Sequence, residues 1–186
     1  MEKIRCGWCG NDTLYQHYHD TEWGVPVYDD EKMFEFLILE GFQAGLSWIT
    51  ILKRREGFRE AFDNFDYEKI AKYDEKKIQA LMQDSRIIKN QLKIRASVTN
   101  ALAFMEVQKE FGSFCNYLWG FTNGKVIDNK PKELKNIPAQ AELSDKISKD
   151  LKKRGFKFVG STIIYAHLQA VGIINDHIQD CWIRKK

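Results

Sequence analysis

The sequence predicts an all-α protein. Apolar residues recur at three- and four-residue spacings through most of the chain, helix-starting and helix-stopping residues bracket those stretches, and no segment shows convincing strand alternation. Residues 30–44 place Met33, Phe34, Leu37, Ile38 and Gly41 along one stripe. Ser47 stands where it can cap a second helix to about Phe62, with Ile51, Leu52, Phe58 and Phe62 facing inward. Asp66 and Asp74 start two shorter helices. Residues 87–110 alternate apolar and charged positions at helical spacing until Gly112 ends them. Residues 113–121 form a short aromatic segment, and 122–143, with Gly124, Pro131 and Pro138, read as a loop. Ser144 opens a basic helix that Gly155 stops, and a last apolar helix spans 161–171. The N-terminal stretch reads as loop.

Composition narrows the function classes. The 186 residues suit one domain or two small ones, and 44% hydrophobic content with 12 Phe, 7 Tyr and 5 Trp is ample for a core. A net charge of +3 does not make the molecule a polycation, so an anionic partner must be met by local patches. The polar start of the chain is not a signal peptide. Residues 158–175, the longest uncharged run, are broken by Gly160, His167, Gln169 and Gly172 and are short for a bilayer. A cytoplasmic setting follows, in which four cysteines favour metal over disulfides.

Four constellations carry chemistry. At the chain ends, His177-x3-Cys181 can present an imidazole and a thiolate on one face of a helical turn. Cys6 or Cys9, with His19, can complete a tetrahedral N/S set. His17 lies two residues from His19, Cys115 reads as a buried small hydrophobe, and His167 reads as a satisfied core histidine. The second constellation is one carboxylate. Across residues 36–52 the only charge is Glu40, three residues after Leu37 and seven after Met33, hence on or beside the apolar face. A carboxylate there is partnered, protonated or turned to a cavity. A helix-end glutamate reaching water is the plain reading; a pocket acid, with Gly41 and Gly45 permitting close approach, is the functional one. Third, Trp8, Tyr15, Tyr18, Trp23 and Trp48 gather around that segment, as ordinary packing or as a stacking pocket. Rings plus one carboxylate suit a planar cation. Fourth, Arg86, Lys89 and Lys93 fall at a helix–turn–helix joint, and Lys152, Lys153, Arg154 and Lys157 surround Gly155. Such runs are usually solvated faces; a lysine-flanked turn entering a helix also binds a phosphate backbone.

Five stretches, in order, carry a resemblance: 5–8 (Arg-Cys-Gly-Trp), 18–26 (Tyr-His-Asp-Thr-Glu-Trp-Gly-Val-Pro), 39–50 (Leu-Glu-Gly-Phe-Gln-Ala-Gly-Leu-Ser-Trp-Ile-Thr), 152–160 (Lys-Lys-Arg-Gly-Phe-Lys-Phe-Val-Gly) and 175–177 (Asn-Asp-His). Over nearly its whole length the chain resembles the bacterial 3-methyladenine DNA glycosylase I family, itself similar to the helix–hairpin–helix glycosylases. The resemblance implies one domain over 1–186 with two helical lobes around a base pocket, and terminal segments 1–28 and 172–186 joined by one structural zinc. It implies a zinc held by Cys6, His19, His177 and Cys181. It places Glu40 and Tyr18 in base recognition and excision, with Trp48, Trp8 and Tyr15 lining the pocket, and Gly45 and Leu46 probing the duplex. Arg86, Lys89, Lys93, Lys153 and Lys157 are the expected DNA-backbone contacts. The implied activity is monofunctional removal of N3-methyladenine, and weakly N3-methylguanine, from double-stranded DNA by a monomer. Two departures stand out: Arg86 and Leu92 occupy hairpin positions that many of these proteins fill with glycine, and the usual catalytic aspartate has no clear counterpart. No lysine is assignable as a Schiff-base nucleophile. The alternatives are a non-catalytic zinc-stabilised DNA-binding module and a metalloenzyme with an open zinc site.

Overall fold

The computed structural model describes residues 3–43 and 45–185; Met1, Glu2 and Lys186 of the terminal segments, and Ala44, lie outside them. The N-terminus departs from the loop expected. Asp12 accepts hydrogen bonds from the amides of Leu14 and Tyr15 and starts α1, Thr13–Thr21. This helix has little sequence signal of its own; packing against the chain supplies it. α2, Asp30–Gln43, follows the expected stripe and is buried from Met33 to Phe42. Its first residue, Asp30, also accepts the amides of Phe114 (2.9 Å) and Cys115 (2.8 Å). One carboxylate therefore caps α7, Phe114–Gly120, onto the start of α2.

α3 is Trp48–Ala61, with Ser47 at its N-cap position. The Ser47 hydroxyl does not cap the backbone; it pairs with Thr50 Oγ1 at 2.9 Å. α4, Tyr67–Ile70, and α5, Glu75–Gln83, begin at Asp66 and Asp74, whose side chains accept the amides of Lys69 and Lys77. The long helix starts later than expected. Residues 84–90 form the turn of a hairpin, Asn90 caps α6 at Gln91, and α6 runs to Phe111. Asp84 accepts the amide of Arg86 at 2.9 Å, so an aspartate turn does what glycine would otherwise do there. Gly57 of α3 lies so close that a Cβ would sit 2.7 Å from Arg86 Cβ, which seats the hairpin directly on α3.

α8 spans Glu142–Lys153, starting three residues earlier than a cap at Ser144 implies. Ala141 is its N-cap, and Ser144 reaches back to the Ala141 amide from inside the first turn. α9 is Ser161–Ala170. Strands do occur, against expectation: β1, Ile127–Asp128, pairs in parallel with β2, Ile174–Asn175. Two residues are too few to show alternation in a sequence. His177 and Cys181 flank a turn, closed by Cys181 N to Ile178 O at 2.9 Å, rather than a helical turn.

α2 packs against α3, α6, α7 and α9, while α8 covers α9 and α4 and α5 lie on α6. Phenylalanines form the core around it. Phe104 meets Phe34 at 5.0 Å and stacks on Phe114 at 4.3 Å, and Phe42 meets Phe58 edge-on at 4.9 Å. Each such buried ring contributes about 2–3 kcal/mol. His167 is buried in α9 as expected, but neither ring nitrogen has a partner among the described residues, and burial pulls its pKa down to about 3. It is a neutral, unsatisfied core histidine. Among the described residues no helix is long and apolar enough to cross a membrane.

Candidate functional site: an aromatic pocket beside a thiol–imidazole cluster

α2 ends against the pocket. Glu40, in its last turn, is 4% exposed, and Oε2 has no hydrogen-bond partner among the described residues. Burial pushes its carboxyl up to about 8. The cavity over it holds about 330 Å³ and is walled by Trp8, Tyr15, Tyr18, Trp23 and Trp48. Tyr18 and Trp48 lie 5.6 Å apart at 48°, while Trp8 packs on Tyr15 at 4.9 Å and on Trp23 at 4.9 Å. Trp8 Nε1 and Trp48 Nε1 are buried and, among the described residues, likewise without partners. One carboxylate oxygen and two indole N–H groups thus wait unsatisfied in one place. Each such group costs about 1–3 kcal/mol until a ligand or solvent meets it. Burial pushes the Tyr15 phenol up to about 12 and raises that of Tyr18 well above its ordinary value, so both remain neutral.

The rest of the lining was not legible in the sequence. Gln43 comes from the end of α2, Ala166 and Gln169 from one face of α9, and Leu134 and Ile137 from the expected loop. Only the three-residue spacing of Ala166 and Gln169 is a signal, and it does not say which face looks into a cavity. Gln169 is oriented from behind: its Nε2 donates to Asp176 Oδ2 at 2.8 Å. Tyr165 (2.6 Å) and Asn129 (2.8 Å) also donate to Asp176, which fastens the β1–β2 bridge to the pocket wall.

Behind Trp8 and Trp23, the ligand atoms of Cys6, His19, His177 and Cys181 lie within 4.8 Å of one another, and all four residues are buried. Cys181 Sγ stands 3.5 Å from His19 Nε2 and 3.4 Å from His177 Nδ1, and Cys6 Sγ stands 3.5 Å from His177 Nδ1. Ligands on a tetrahedral zinc are separated by about 3.3–3.8 Å. Both imidazoles are aimed: His19 Nδ1 meets Asp20 Oδ1 at 2.8 Å, and His177 Nε2 meets the Trp23 carbonyl at 3.1 Å. Asp20 is itself held by Arg5 and by Trp182 Nε1. Cys9 stays out of the set; its thiol donates to the Cys6 carbonyl at 3.1 Å. The hydrogen bond between the two cysteines holds the Cys181 thiol low and pushes the Cys6 thiol up. The donor set fits a closed metal site, and the geometry selects Cys6 over Cys9.

The expected backbone contacts divide. Lys89, Lys153 and Lys157 are exposed. Gly45 has φ +83° with open space around it, and Leu46 beside it is 41% exposed. Arg86 is exposed, but its guanidinium is paired with Asp84 and Glu60. Lys93 does not join a solvated basic patch as expected: it is 8% exposed, and its ammonium donates to the Phe42 carbonyl at 3.1 Å.

Fold and site together define a helical protein with an aromatic-walled cavity over one buried carboxylate. Known proteins share its sequence and fold. The family model for methyladenine glycosylase matches residues 8–185. The DNA-3-methyladenine glycosylase of Haemophilus influenzae is 48% identical over 177 residues, 95% of this chain and 96% of that protein. A crystal structure of 3-methyladenine DNA glycosylase I superposes with a TM-score of 0.94 at 46% identity, covering 96% of this chain and 98% of the other. A complex of a 3-methyladenine DNA glycosylase I variant with 3-methyladenine also gives 0.94, at 36% identity and 98% coverage of both chains. The chain belongs to the methyladenine glycosylase family and is an N-glycosylase.

Proposed function

We propose that the protein excises N3-methyladenine from duplex DNA by hydrolysis, leaving an abasic site and an intact strand. The observation that carries this reading is the trio of unsatisfied groups in the pocket: Glu40 Oε2 and the indole N–H groups of Trp8 and Trp48. A base must leave the stack to be acted on, at a cost of about a few kcal/mol, least at a damaged pair. Methylation at N3 gives the adenine a positive charge. Stacked between Trp48 and the opposite rings, it gains from cation–π attraction and from a carboxylate that neutral adenine does not ionise. Glu40 accepts from the exocyclic amino edge. N3-methylguanine carries a carbonyl there, an acceptor facing an acceptor, which accounts for weaker use of that base.

The bond between C1′ and the base nitrogen breaks with its electron pair leaving on the base, whose positive charge is thereby cancelled. Water supplies hydroxide to C1′ and gives its proton to solvent. Gly45 and Leu46 enter the duplex beside the emptied position, and Lys89, Lys153 and Lys157 meet phosphates. Cys6, His19, His177 and Cys181 would hold a zinc with four protein ligands, which would supply structure rather than chemistry. Those residues would thereby tie the terminal segments together behind Trp8 and Trp23. The whole is one domain of two helical lobes, acting as a cytoplasmic monomer.

The test is release of free base from N3-methyladenine-containing duplex by wild type and by Glu40→Gln, with strand breaks scored before and after alkali. Base release with breaks only after alkali is expected, and a loss of about 100-fold or more for Glu40→Gln. No release by folded, metal-loaded wild type sinks the enzyme reading and leaves a DNA-binding module.

A further inference from the structure

We propose that Lys93 is a positioning residue that holds the 45–47 turn, and with it Gly45 and Leu46, in register with the Glu40 pocket, and that it touches no DNA phosphate. The proposal rests on the glycosylase reading and deepens it. Lys93 lies in the first turn of α6, immediately after the hairpin turn that Asn90 closes. Its side chain runs inward, not out: Nζ reaches the Phe42 carbonyl at 3.1 Å and lies 5.8 Å from the centre of the Phe158 ring. Phe42 is one residue before the end of α2, where the last carbonyls have no partner within the helix. An ammonium placed there also complements the negative end of the helix dipole. The cleft shared by Lys93, Gly41, Phe42 and Phe158 holds only about 10 Å³. That is too little for a phosphate, a base or a ligand of any kind.

Two consequences follow from the connectivity. Glu40 lies on one side of the bonded carbonyl, two residues before Phe42. Gly45, Leu46 and Trp48 follow within six residues on the other. One hydrogen bond from α6 therefore fixes the point where the pocket-bearing helix gives way to the turn that enters DNA. The exposed Lys89 belongs to the same hairpin, so a contact between the hairpin and the DNA backbone reaches the 45–47 turn through Lys93. Burial also draws the Lys93 pKa down, which makes a nucleophilic amine the rival role for this residue.

The experiment compares wild type, Lys93→Met, Lys93→Arg and Lys89→Ala in three measurements. The first is binding of free 3-methyladenine, followed by tryptophan fluorescence. The second is single-turnover release of base from N3-methyladenine duplex. The third is the salt dependence of duplex binding. Lys93→Met should bind the free base within about twofold of wild type, because uniform pocket binding is untouched. It should release base from duplex about 100-fold more slowly, the penalty for a misplaced element at a reacting site. Its salt slope should match wild type, whereas Lys89→Ala lowers the slope by about 1. Lys93→Arg, which keeps the donor, should recover most of the rate; if Lys93→Met does not fold, Lys93→Gln takes its place. Unchanged excision, a slope lowered by about 1, a parallel loss of free-base affinity, or a borohydride-trapped adduct on Lys93 each overturns the proposal. Wild type that binds free base but releases none from DNA overturns the glycosylase reading itself, and that outcome shows in the wild-type reactions alone.

Discussion

Glu35 and Glu40 sit five residues apart on the same helix and are both buried, yet their surroundings are opposite. Glu35 Oε1 receives Arg55 Nε at 2.6 Å and Arg59 Nη2 at 2.8 Å, and Arg55 also reaches Glu22. Glu40 Oε2 receives nothing among the described residues. The first carboxylate fastens the end of α1 and α3 to α2; the second faces a cavity. The same contrast separates the two buried centres. In the cysteine–histidine cluster each imidazole has an outer partner, and Asp20 behind His19 has two more. In the pocket the polar atoms are left open. Paired carboxylates and aimed imidazoles hold the scaffold together, whereas the unpaired Glu40 oxygen and the two indole N–H groups converge on a cavity large enough for a ligand; His167, also unpaired among the described residues, faces no such space.

The sharpest way to break that distinction is at the cluster. We expect one zinc per chain by metal analysis. Cys181→Ser, or chelation, should cost about 5 kcal/mol or more and largely unfold the protein, because the cation's binding energy is folding energy in a closed site. Calorimetry of loaded and stripped protein checks it; a stripped protein with unchanged melting would show that the cluster is not structural. Glu35→Gln comes next. It leaves Arg55 and Arg59 facing a neutral amide, so about 3–5 kcal/mol should be lost in denaturant titration. A loss no larger than that of an exposed pair would show that the network is solvated. Asp20→Asn should weaken metal affinity by about 10–100-fold without displacing a ligand. Competition with a zinc chelator reads this directly, and an affinity equal to wild type would mean that Asp20 does not aim His19.

How much of this was legible in the sequence follows the range of each interaction. Asp66, Asp74 and Gly112 mark helix ends through bonds within a few residues, and each does so in the structure. Glu40 stood out because it is the lone charge in a long apolar stretch, a local contrast. Lys93 carries no such contrast. Its neighbours in sequence include other cations, and the carbonyl that draws it inward is 51 residues away. Gln169 is the same case, aimed by an aspartate across a strand bridge. The nine mostly polar residues of α1 carry no long apolar stripe, and the two-residue strands are too short for any periodicity. The cluster was half legible: spacing offered Cys6 or Cys9, and only folding puts one thiol beside the imidazoles and the other against a carbonyl.

The smallest effect expected is also of opposite sign to the others. Burial raises the Glu40 carboxyl from its ordinary 4.5 to about 8. Below pH 4.5 the group is protonated whether the chain is folded or not, and the folded state bears no penalty. As the pH rises toward 8 the unfolded chain ionises while the folded one holds its proton, so stability falls through that window and levels off above it. Glu40→Gln lacks that titration. The variant should match wild type near pH 4.5 and exceed it near pH 8 by about 1–2 kcal/mol, after allowing for relaxation around the site. Chemical denaturation of both proteins across that range measures it. A variant less stable than wild type at pH 8 would mean that Glu40 has an ionic partner after all, and the two glutamates of α2 would no longer differ in kind. A cationic base in the pocket reverses the balance: it stabilises the ionised carboxylate, so its binding releases a proton near neutral pH and strengthens as the pH approaches 8. The charge that weakens the empty protein is the one that selects its ligand.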